Sequence, residues 1–189
     1  MPADRERIER DGYRIRTFEP ADAAIAWDLH VEGLIDQTTD VHSDPAWDDD
    51  VRAIPEHYLK PGHHFWVVEP LDPPPSTPDP SAIPLTPSPS DPAARPIIAT
   101  NAIRRIDDTT AEIKRMRVTK SHRRRGIARI LVEIAEDFCR RNGYQRIILD
   151  TTNHQQPAQH LYESLGYTRT HEQPLPALNL TLIHYQKPL

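Results

Sequence analysis

One short stretch of the chain concentrates positive charge. The chain as a whole carries a formal charge of −5, yet eight basic residues and no acid stand in this stretch: Lys114, Arg115, Arg117, Lys120, Arg123, Arg124, Arg125 and Arg129. Such a concentration within an acidic protein is typical of a local site for an anionic ligand.

The end of this basic stretch indicates which anion it binds. Gly126 precedes a helix predicted over 126–142, whose apolar residues follow the i, i+3, i+4, i+7 spacing of one buried face. A helix N-terminus presents free N–H groups and the positive end of the helix dipole, and glycine allows close approach to the backbone. Phosphate groups fit best. A solvated basic face or a nucleic-acid patch is the alternative, but such patches accompany a basic pI, and the pI here is about 6.0.

Length and composition exclude several classes of protein. The 189 residues fit one domain, and no apolar run approaches the roughly 18 residues of a membrane span. The charged first residues lack the apolar segment of a secretory signal, and a single cysteine, Cys139, excludes a disulfide-stapled fold. We therefore expect a cytoplasmic protein with neither a membrane nor a nucleic acid as partner.

Hydrophobic periodicity predicts the elements that position the basic stretch. Helices are predicted after Pro20, over 48–59, over 126–142 and after Pro157. Strands are predicted over 13–18, 63–69, 97–106, 111–118, 146–151 and 181–187. The resulting order, β α α β β β α β α β, is that of an α/β domain whose crossover around the helix 126–142 makes two strands parallel neighbours.

A proline-rich segment interrupts a predicted hairpin. Eleven of the 20 prolines fall between Pro70 and Pro96, where they remove backbone donors and prevent regular structure. We expect an extended or disordered insertion over 71–95 that joins two antiparallel strands. The predicted organisation is a flexible N-terminus over 1–11 and one domain over 12–189.

Two motifs give the chain a family resemblance. Residues 123–128 match the Q/R-x-x-G-x-G/A signature with which the GNAT N-acetyltransferase superfamily binds the pyrophosphate of acetyl coenzyme A. The segment 148–167, ILDTTNHQQPAQHLYESLGY, resembles the family's second cofactor motif, and the element order over about 12–188 agrees. The resemblance implies an α/β fold with a GNAT-like central mixed sheet of six to seven strands and about four helices, with acetyl-CoA as co-substrate.

The resemblance also implies the cofactor contacts. In the family, the backbone N–H near the end of the strand before the signature, here Val118, faces the acetyl carbonyl, and a splay between that strand and the next admits the pantetheine arm. Asn153 is either a partner of the pantetheine amides or a turn residue. The residues predicted to contact the cofactor are Met116, Val118, Arg123, Arg124, Arg125, Gly126, Ile127, Ala128, Arg129, Asn153 and Tyr162.

Two residues are candidates for acid–base catalysis. Tyr162 matches the tyrosine that resembles a general acid toward the leaving thiolate; alternatively it is a half-buried aromatic beside Leu161. Glu112 has the spacing from Gly126 of the glutamate that serves as general base in the histone-acetylating branch; alternatively it is a surface glutamate paired with Lys114.

Strand alternation makes a prediction about side-chain direction near these candidates. Glu112, Lys114, Met116 and Val118 share one face unless a bulge intervenes. No metal is expected, since the adjacent His63 and His64 point to opposite faces of their strand.

The predicted activity is transfer of an acetyl group to a primary amine by direct attack in a ternary complex. The alternative is an inactive acyl-CoA-binding module, which has no need of Glu112 or Tyr162. We expect a small-molecule or peptide acceptor whose ammonium is attracted by the acidic connection 36–50, whereas an acidic acceptor favours Arg104 and Arg105. The acids of the connection are Asp36, Asp40, Asp44, Asp48, Asp49 and Asp50. The resemblance leaves a homodimer open.

Overall fold

The computed structural model describes residues 6–35, 45–71 and 96–189. Within these ranges the chain forms one eight-stranded sheet and five α-helices. The strands are β1 (Arg7–Arg10), β2 (Tyr13–Thr17), β3 (His64–Pro70), β4 (Ala99–Arg105), β5 (Thr110–Val118), β6 (Arg146–Thr152), β7 (Thr168–Leu175) and β8 (Leu180–Pro188). The helices are α1 (Ala23–Ile35), α2 (Pro45–Arg52), α3 (Ile54–Tyr58), α4 (Ile127–Arg141) and α5 (Gln156–Ser164). Short 3-10 turns cover Pro20–Asp22, Lys120–His122 and Pro176–Leu178.

The sheet is mixed and has the strand order β1-β2-β3-β4-β5-β6-β8-β7. Neighbouring strands are antiparallel except β5 and β6, which are parallel and joined by α4. The predicted crossover is therefore confirmed. Strands β3 and β4 pair antiparallel, with Val68 opposite Ala99, as the hairpin prediction required. Residues 72–95 of the predicted insertion lie outside the described residues.

The element count exceeds the prediction of six to seven strands and about four helices. Strand β1 lies within the segment 1–11 that the sequence analysis assigned to a flexible N-terminus, and β7 at the other edge was not predicted. Seven of the eight residues of β7 are exposed and one is a proline, so no hydrophobic alternation marks it. The helix predicted over 48–59 divides at Ala53, because Pro55 has no N–H to donate to the preceding turn.

Helices cover both faces of the sheet. On one face, which we call the α4 face, α4 contributes Ile127, Ile130, Leu131 and Ile134 to a core that also contains Tyr162 of α5. On the other, the α1 face, residues of α1, α2 and α3 pack with Phe65 and Val67 of β3 and Ala102 of β4. The strands around β5 are thus held from both sides. None of the helices in the described ranges is long and apolar enough to cross a bilayer.

Helix α4 begins and ends where its sequence signals predict. Gly126 is its N-cap residue and has a φ of +82°, a left-handed conformation that favours glycine. Arg140 and Arg141 lie in the last turn, and Gly143 follows with a φ of +80°. The positive end of the α4 dipole therefore points at the loop that joins β5 to the helix.

Candidate active site

The parallel strands β5 and β6 separate after a short paired section. They pair at three positions only, from Thr110 with Arg146 to Glu112 with Ile148. Strand β5 nevertheless continues to Val118, and β6 continues to Thr152 while bonded along its other edge to β8. A gap therefore opens between residues 113–118 of β5 and 149–152 of β6. Backbone groups that face this gap are free to bind an extended ligand.

The end of β5 directs one backbone N–H into this gap. Thr119 donates its N–H to the Ile98 carbonyl at 2.9 Å, so these two form a hydrogen-bonded pair of the antiparallel ladder. Val118 and Ala99, one step earlier, form the non-bonded pair, and the N–H of Val118 points away from β4 toward β6. Its contact with an acetyl carbonyl, which the family resemblance implies, stays a prediction.

A β-bulge sets the direction of the side chains of β5. The register with β4 shifts between Thr100 and Ala102, and Arg115, opposite this shift, has a left-handed φ of 54°. The extra residue reverses the alternation, and Met116 and Val118 pack against the α4-face core. The prediction that both share a face with Glu112 and Lys114 is therefore wrong, for the reason that a bulge breaks the two-residue period.

A loop rich in arginine connects the gap to α4. We call residues 123–129, which run from the loop after β5 into the first turn of α4, the basic loop. Its four arginine side chains are all exposed: Arg123, Arg124, Arg125 and Arg129. Arg123 donates from Nε to the Val118 carbonyl at 3.0 Å, and Arg129 donates to Ser164 Oγ at 3.0 Å. The first N–H groups of α4, from Ile127 onward, have no intrahelical acceptor. Exposed cations and free N–H groups thus meet at one helix end, the arrangement that suits a pyrophosphate.

Glu112 lies on the α1 face, in a row of basic and acidic side chains that alternate in charge: Arg104, Glu112, Lys114 and Asp150. Its Oε2 accepts hydrogen bonds from Arg104 Nε at 2.8 Å and Nη2 at 2.5 Å. Lys114 Nζ lies 3.6 Å from Oε1 and 3.2 Å from Oδ1 of Asp150 on β6. The carboxylate is 7% exposed. Glu112 is therefore a buried acid beside the gap. It also pairs with Lys114, the alternative that the sequence offered.

Tyr162 reaches the gap from the opposite face. It belongs to α5, is 5% exposed, and packs edge-on against Tyr167 with ring centroids 5.7 Å apart. Burial raises the pKa of its phenol; the charge of Arg117 opposes this rise and Asp150 adds to it. Charged side chains of both strands that border the gap, Arg117 of β5 and Asp150 of β6, therefore act on the phenol. Glu112 and Tyr162 thus approach the gap from different faces of the sheet.

Asn153 acts as a turn residue in this structure. Its Oδ1 accepts the N–H of Thr181 at 2.9 Å, and its own N–H donates to the Thr181 carbonyl at 2.9 Å. The two bonds hold the end of β6 to the start of β8. Of the two interpretations of Asn153, the geometry supports the turn.

Two carboxylates of the acidic connection are bound by other residues of the chain. Asp50 pairs with Arg115 through Nε at 3.0 Å and through Nη2, and it also accepts a bond from Tyr58. Asp48 accepts from His30 at 2.7 Å. Burial, reinforced by nearby arginines, lowers the pKa of His30 to about 4, so the ring is neutral.

For Asp48 and Asp50, the prediction of an acidic patch open to the acceptor is therefore wrong, because both carboxylates face inward to partners of the chain itself. Asp49 is exposed. Residues Asp36, Asp40 and Asp44 lie outside the described residues.

Three residues near the gap were missed by the sequence analysis. Asp150 directly follows the apolar run 147–149 of β6, which was a signal that could have identified it. Arg117 was counted only as one of eight basic residues. His184 on β8 is opposite Asp150 and stacks on His171 with ring centroids 4.0 Å apart. Among the described residues, no group of three or more His, Cys, Asp or Glu side chains is placed to hold a metal ion.

Comparison with known proteins agrees with this geometry. Residues 88–167 match the model of the acetyltransferase (GNAT) family. N-acetyltransferase 8B of Homo sapiens is 41% identical over 70 residues, 34% of this chain and 31% of that protein. N-acetylaspartate synthetase of Danio rerio is 41% identical over 68 residues, 36% of this chain and 24% of that protein. The chain thus matches about a third or less of the length of these curated relatives.

Solved structures share the fold over almost the whole chain. An acetyltransferase of Streptococcus agalactiae has a TM-score of 0.70 and 21% identity, and covers 95% of this chain and 100% of its own. The protein yncA of Salmonella typhimurium, solved with its cofactor acetyl-CoA, has a TM-score of 0.63 and 17% identity, with 95% of each chain covered. Over residues 88–167 the chain is therefore similar to the acetyltransferase (GNAT) family, and it shares the fold of these solved acetyltransferases.

Proposed function

We propose that this protein transfers an acetyl group from acetyl-CoA to a primary amine by direct attack within a ternary complex. One observation carries the proposal: the gap between β5 and β6 leads from the free N–H of Val118 to the N-terminus of α4 and the exposed arginines of the basic loop. A thioester held in the gap and a pyrophosphate at the helix end are the two parts of one extended molecule. The names of the curated relatives, all N-acetyl transferring or forming, support the same chemistry.

The cofactor contacts follow from this assignment. The free N–H groups from Ile127 to Arg129 receive the pyrophosphate oxygens, and the exposed guanidinium groups of the basic loop neutralise its charge. The pantetheine arm then runs along the unpaired edge of β5. The N–H of Val118 donates to the acetyl carbonyl and stabilises the negative charge that develops on its oxygen during attack.

Glu112 and Tyr162 handle the protons. The amine nitrogen attacks the carbonyl carbon, and its excess proton passes to Glu112, directly or through water. The C–S bond breaks, and the departing thiolate takes a proton from the Tyr162 hydroxyl, which solvent restores. Because burial raises the pKa of Tyr162, the phenol stays protonated before the thiolate forms. The placement of the two residues on different faces of the sheet keeps the two proton transfers apart.

The acceptor is proposed to be a small molecule or peptide with a primary amine. Attraction of its ammonium by Asp48 and Asp50 is not part of the proposal, since Arg115 and His30 occupy those carboxylates. Glu112 and Asp150 are the carboxylates that face the gap from the α1 side.

A thiol-release assay tests the proposed function. The protein is incubated with acetyl-CoA and a panel of amines, and free coenzyme A is measured together with the mass of the acceptor. We expect equimolar release of thiol and gain of one acetyl group on at least one amine. Tight binding of acetyl-CoA without thiol release for any amine would instead favour a binding module.

A further inference from the structure

Arg117 is a half-buried cation that lacks an ion-pair partner among the described residues. Its Nη1 donates to the neighbouring Met116 carbonyl at 3.0 Å. Its Nε is inaccessible to solvent and has no hydrogen-bond acceptor within the described ranges. Burial, followed by repulsion from Arg115, lowers the pKa of Arg117 to about 10. A guanidinium that is partly removed from water and has no carboxylate partner is unfavourable, so an anionic ligand would stabilise it.

The side chain of Arg117 lies close to helix α1. Arg117 follows the bulge and points to the α1 face, where it passes Gly33. A Cβ atom at position 33 would lie 2.3 Å from the Arg117 Nε and 2.4 Å from its Cδ. Glycine inside a helix is destabilising relative to alanine, so its presence here needs a local reason. The missing side chain is what admits the Arg117 stem between β5 and α1.

The surroundings of Arg117 place it at the gap. Besides Arg115, the groups whose charges act on it are the Tyr162 phenol, Asp150 and Asp48. Asp150 is held by Lys114 at 3.2 Å and Asp48 by His30 at 2.7 Å. The nearby carboxylates therefore have other partners, and the charge of Arg117 acts on the phenol of Tyr162, the proposed acid of the reaction.

We propose that Arg117 binds the carboxylate of the acceptor, and that the acceptor is an α-amino acid with a free carboxylate. The inference rests on the proposed function and specifies its second substrate. A guanidinium binds a carboxylate through two parallel hydrogen bonds. Arg117 and Val118 are adjacent in β5, so both act on the same section of the gap. An α-amino acid carries its amine beside its carboxylate, and one molecule could therefore present a carboxylate to Arg117 and an amine to a carbonyl at the Val118 N–H.

The test compares acids with their amides. Thiol release from acetyl-CoA is measured with the twenty L-amino acids, with the matched α-carboxamides, and with spermidine. We expect the best amino acid to exceed its own α-carboxamide by on the order of 100-fold in kcat/KM, since loss of a charged partner leaves the guanidinium unpaired. Release with the amides or spermidine at equal or higher efficiency overturns this inference and leaves the transferase intact. No release with any of these amines, when another amine of the wider panel does give release, overturns this inference alone; no release with either panel overturns the proposed function as well.

Variants at the site locate the effect. Arg117→Met keeps the unbranched stem beside Gly33 and removes the charge. We expect KM for the best amino acid to rise on the order of 100-fold, with kcat/KM for its amide unchanged and the acetyl-CoA affinity unchanged. Arg117→Lys should restore part of the preference, because it keeps a cation without the bidentate geometry. Arg140→Met, on the exposed side of α4, is the matched control and should behave as the wild type.

A second variant, Gly33→Ala, tests the same contact without changing Arg117, in case Arg117→Met fails to fold. Gly33→Ala leaves the charge in place and displaces the guanidinium, so it should raise KM for the amino acid and lower the preference over the amide in the same way. An Arg117→Met or Gly33→Ala protein that is folded by its thermal melting curve and keeps the full preference for the acid contradicts the assignment.

Discussion

The arginines of strand β5 and those of the basic loop behave differently although the sequence presents them as one cluster. In the basic loop, Arg124 and Arg125 are exposed and lie at a helix N-terminus. In the strand, Arg115 is 13% exposed at its side chain and is held by Asp50 of helix α2. Arg117, two residues further, is turned to the same α1 face without an ion pair in the described part of the chain.

The difference shows that charge density in a sequence does not indicate which charges are available. A cation bound to an internal carboxylate contributes to the fold, whereas a cation at a helix end or an unpaired half-buried cation is available to a ligand. The bulge at Arg115 turns both strand arginines to the α1 face, where Asp50 binds Arg115. Available positive charge is thus found at two places, one for phosphates and one at the acceptor side of the gap.

The largest expected effect separates the basic loop from the rest of the molecule. Gly126→Val places a branched side chain at a φ of +82° and next to the first N–H groups of α4. We expect coenzyme A affinity to fall on the order of 10³-fold, as the phosphate can no longer approach the backbone. Isothermal titration with coenzyme A measures the change.

Gly143→Val provides the matched control for this variant. Gly143 has a φ of +80° at the other end of α4, and a Cβ there, as at Gly126, meets no atom within 4 Å. Both variants should lose similar stability, but only Gly126→Val should lose coenzyme A. Equal affinities in the two folded variants would show that the pyrophosphate is bound elsewhere.

Removing the proposed acid tests the α4 face of the gap. Tyr162→Phe should lower kcat on the order of 100-fold, the usual contribution of a general acid, while acetyl-CoA affinity stays constant. Steady-state kinetics at saturating acetyl-CoA measures it. Tyr185→Phe, whose hydroxyl donates to Glu163 at 2.9 Å, is the control. A Tyr162→Phe enzyme with full kcat would assign the phenol to core packing alone.

Breaking the strand ion pair tests the structural role of Arg115. Asp50→Asn should lower the free energy of unfolding by about 2 kcal/mol, less than for a fully buried pair because both side chains are partly exposed. Chemical denaturation measures it. Asp137→Asn removes an exposed partner of Arg140 and should cost at most about 0.5 kcal/mol.

The same pair predicts a pH dependence with a definite sign. Burial alone would raise the pKa of Asp50, but the Arg115 guanidinium outweighs burial and holds the pKa below its usual range. The stabilisation is therefore present above the pKa of the unfolded chain and is lost as the pH falls through the lowered native pKa. Asp50→Asn should lose this acid-dependent part; an unchanged stability profile below pH 4 would show that the pair contributes nothing.

The smallest expected effect concerns the base. Glu112→Gln should lower turnover about tenfold at neutral pH, within the lower range for general-base catalysis, and shift the pH optimum upward toward the pKa of the amine. A pH–rate profile with the best acceptor measures both. Glu133→Gln, which removes the partner of Arg10 on the far side of α4, is the control. An unchanged profile for Glu112→Gln would place the base at another residue.

Much of this architecture follows from local sequence signals. The periodic apolar face of α4, its glycine stops and the continuous apolar run of β6 predicted the crossover that builds the gap. Strand β7 was not predictable, because its residues are exposed at a sheet edge and carry no alternation. Its existence depends on pairing with β8, a contact that only the folded chain supplies.

The site was predicted less completely than the fold. The hexapeptide at 123–128 located the basic loop, but nothing in the sequence marks the bulge at Arg115. Without the bulge, Arg117 would not share a face with Glu112, and its proximity to Gly33 would be lost. Likewise the inward pairing of Asp50 depends on packing of α2 against β5, which residue spacing does not reveal.

Coenzyme A binding at low and high salt tests whether backbone N–H groups at the α4 N-terminus, with the basic loop, bind the cofactor. Isothermal titration at 50 mM and 500 mM NaCl should then give affinities that differ by no more than about tenfold, with a short DNA duplex failing to compete at either salt. A coenzyme A affinity that collapses at 500 mM, together with displacement by the duplex at 50 mM, would contradict the account and identify the arginines as a polyanion-binding surface.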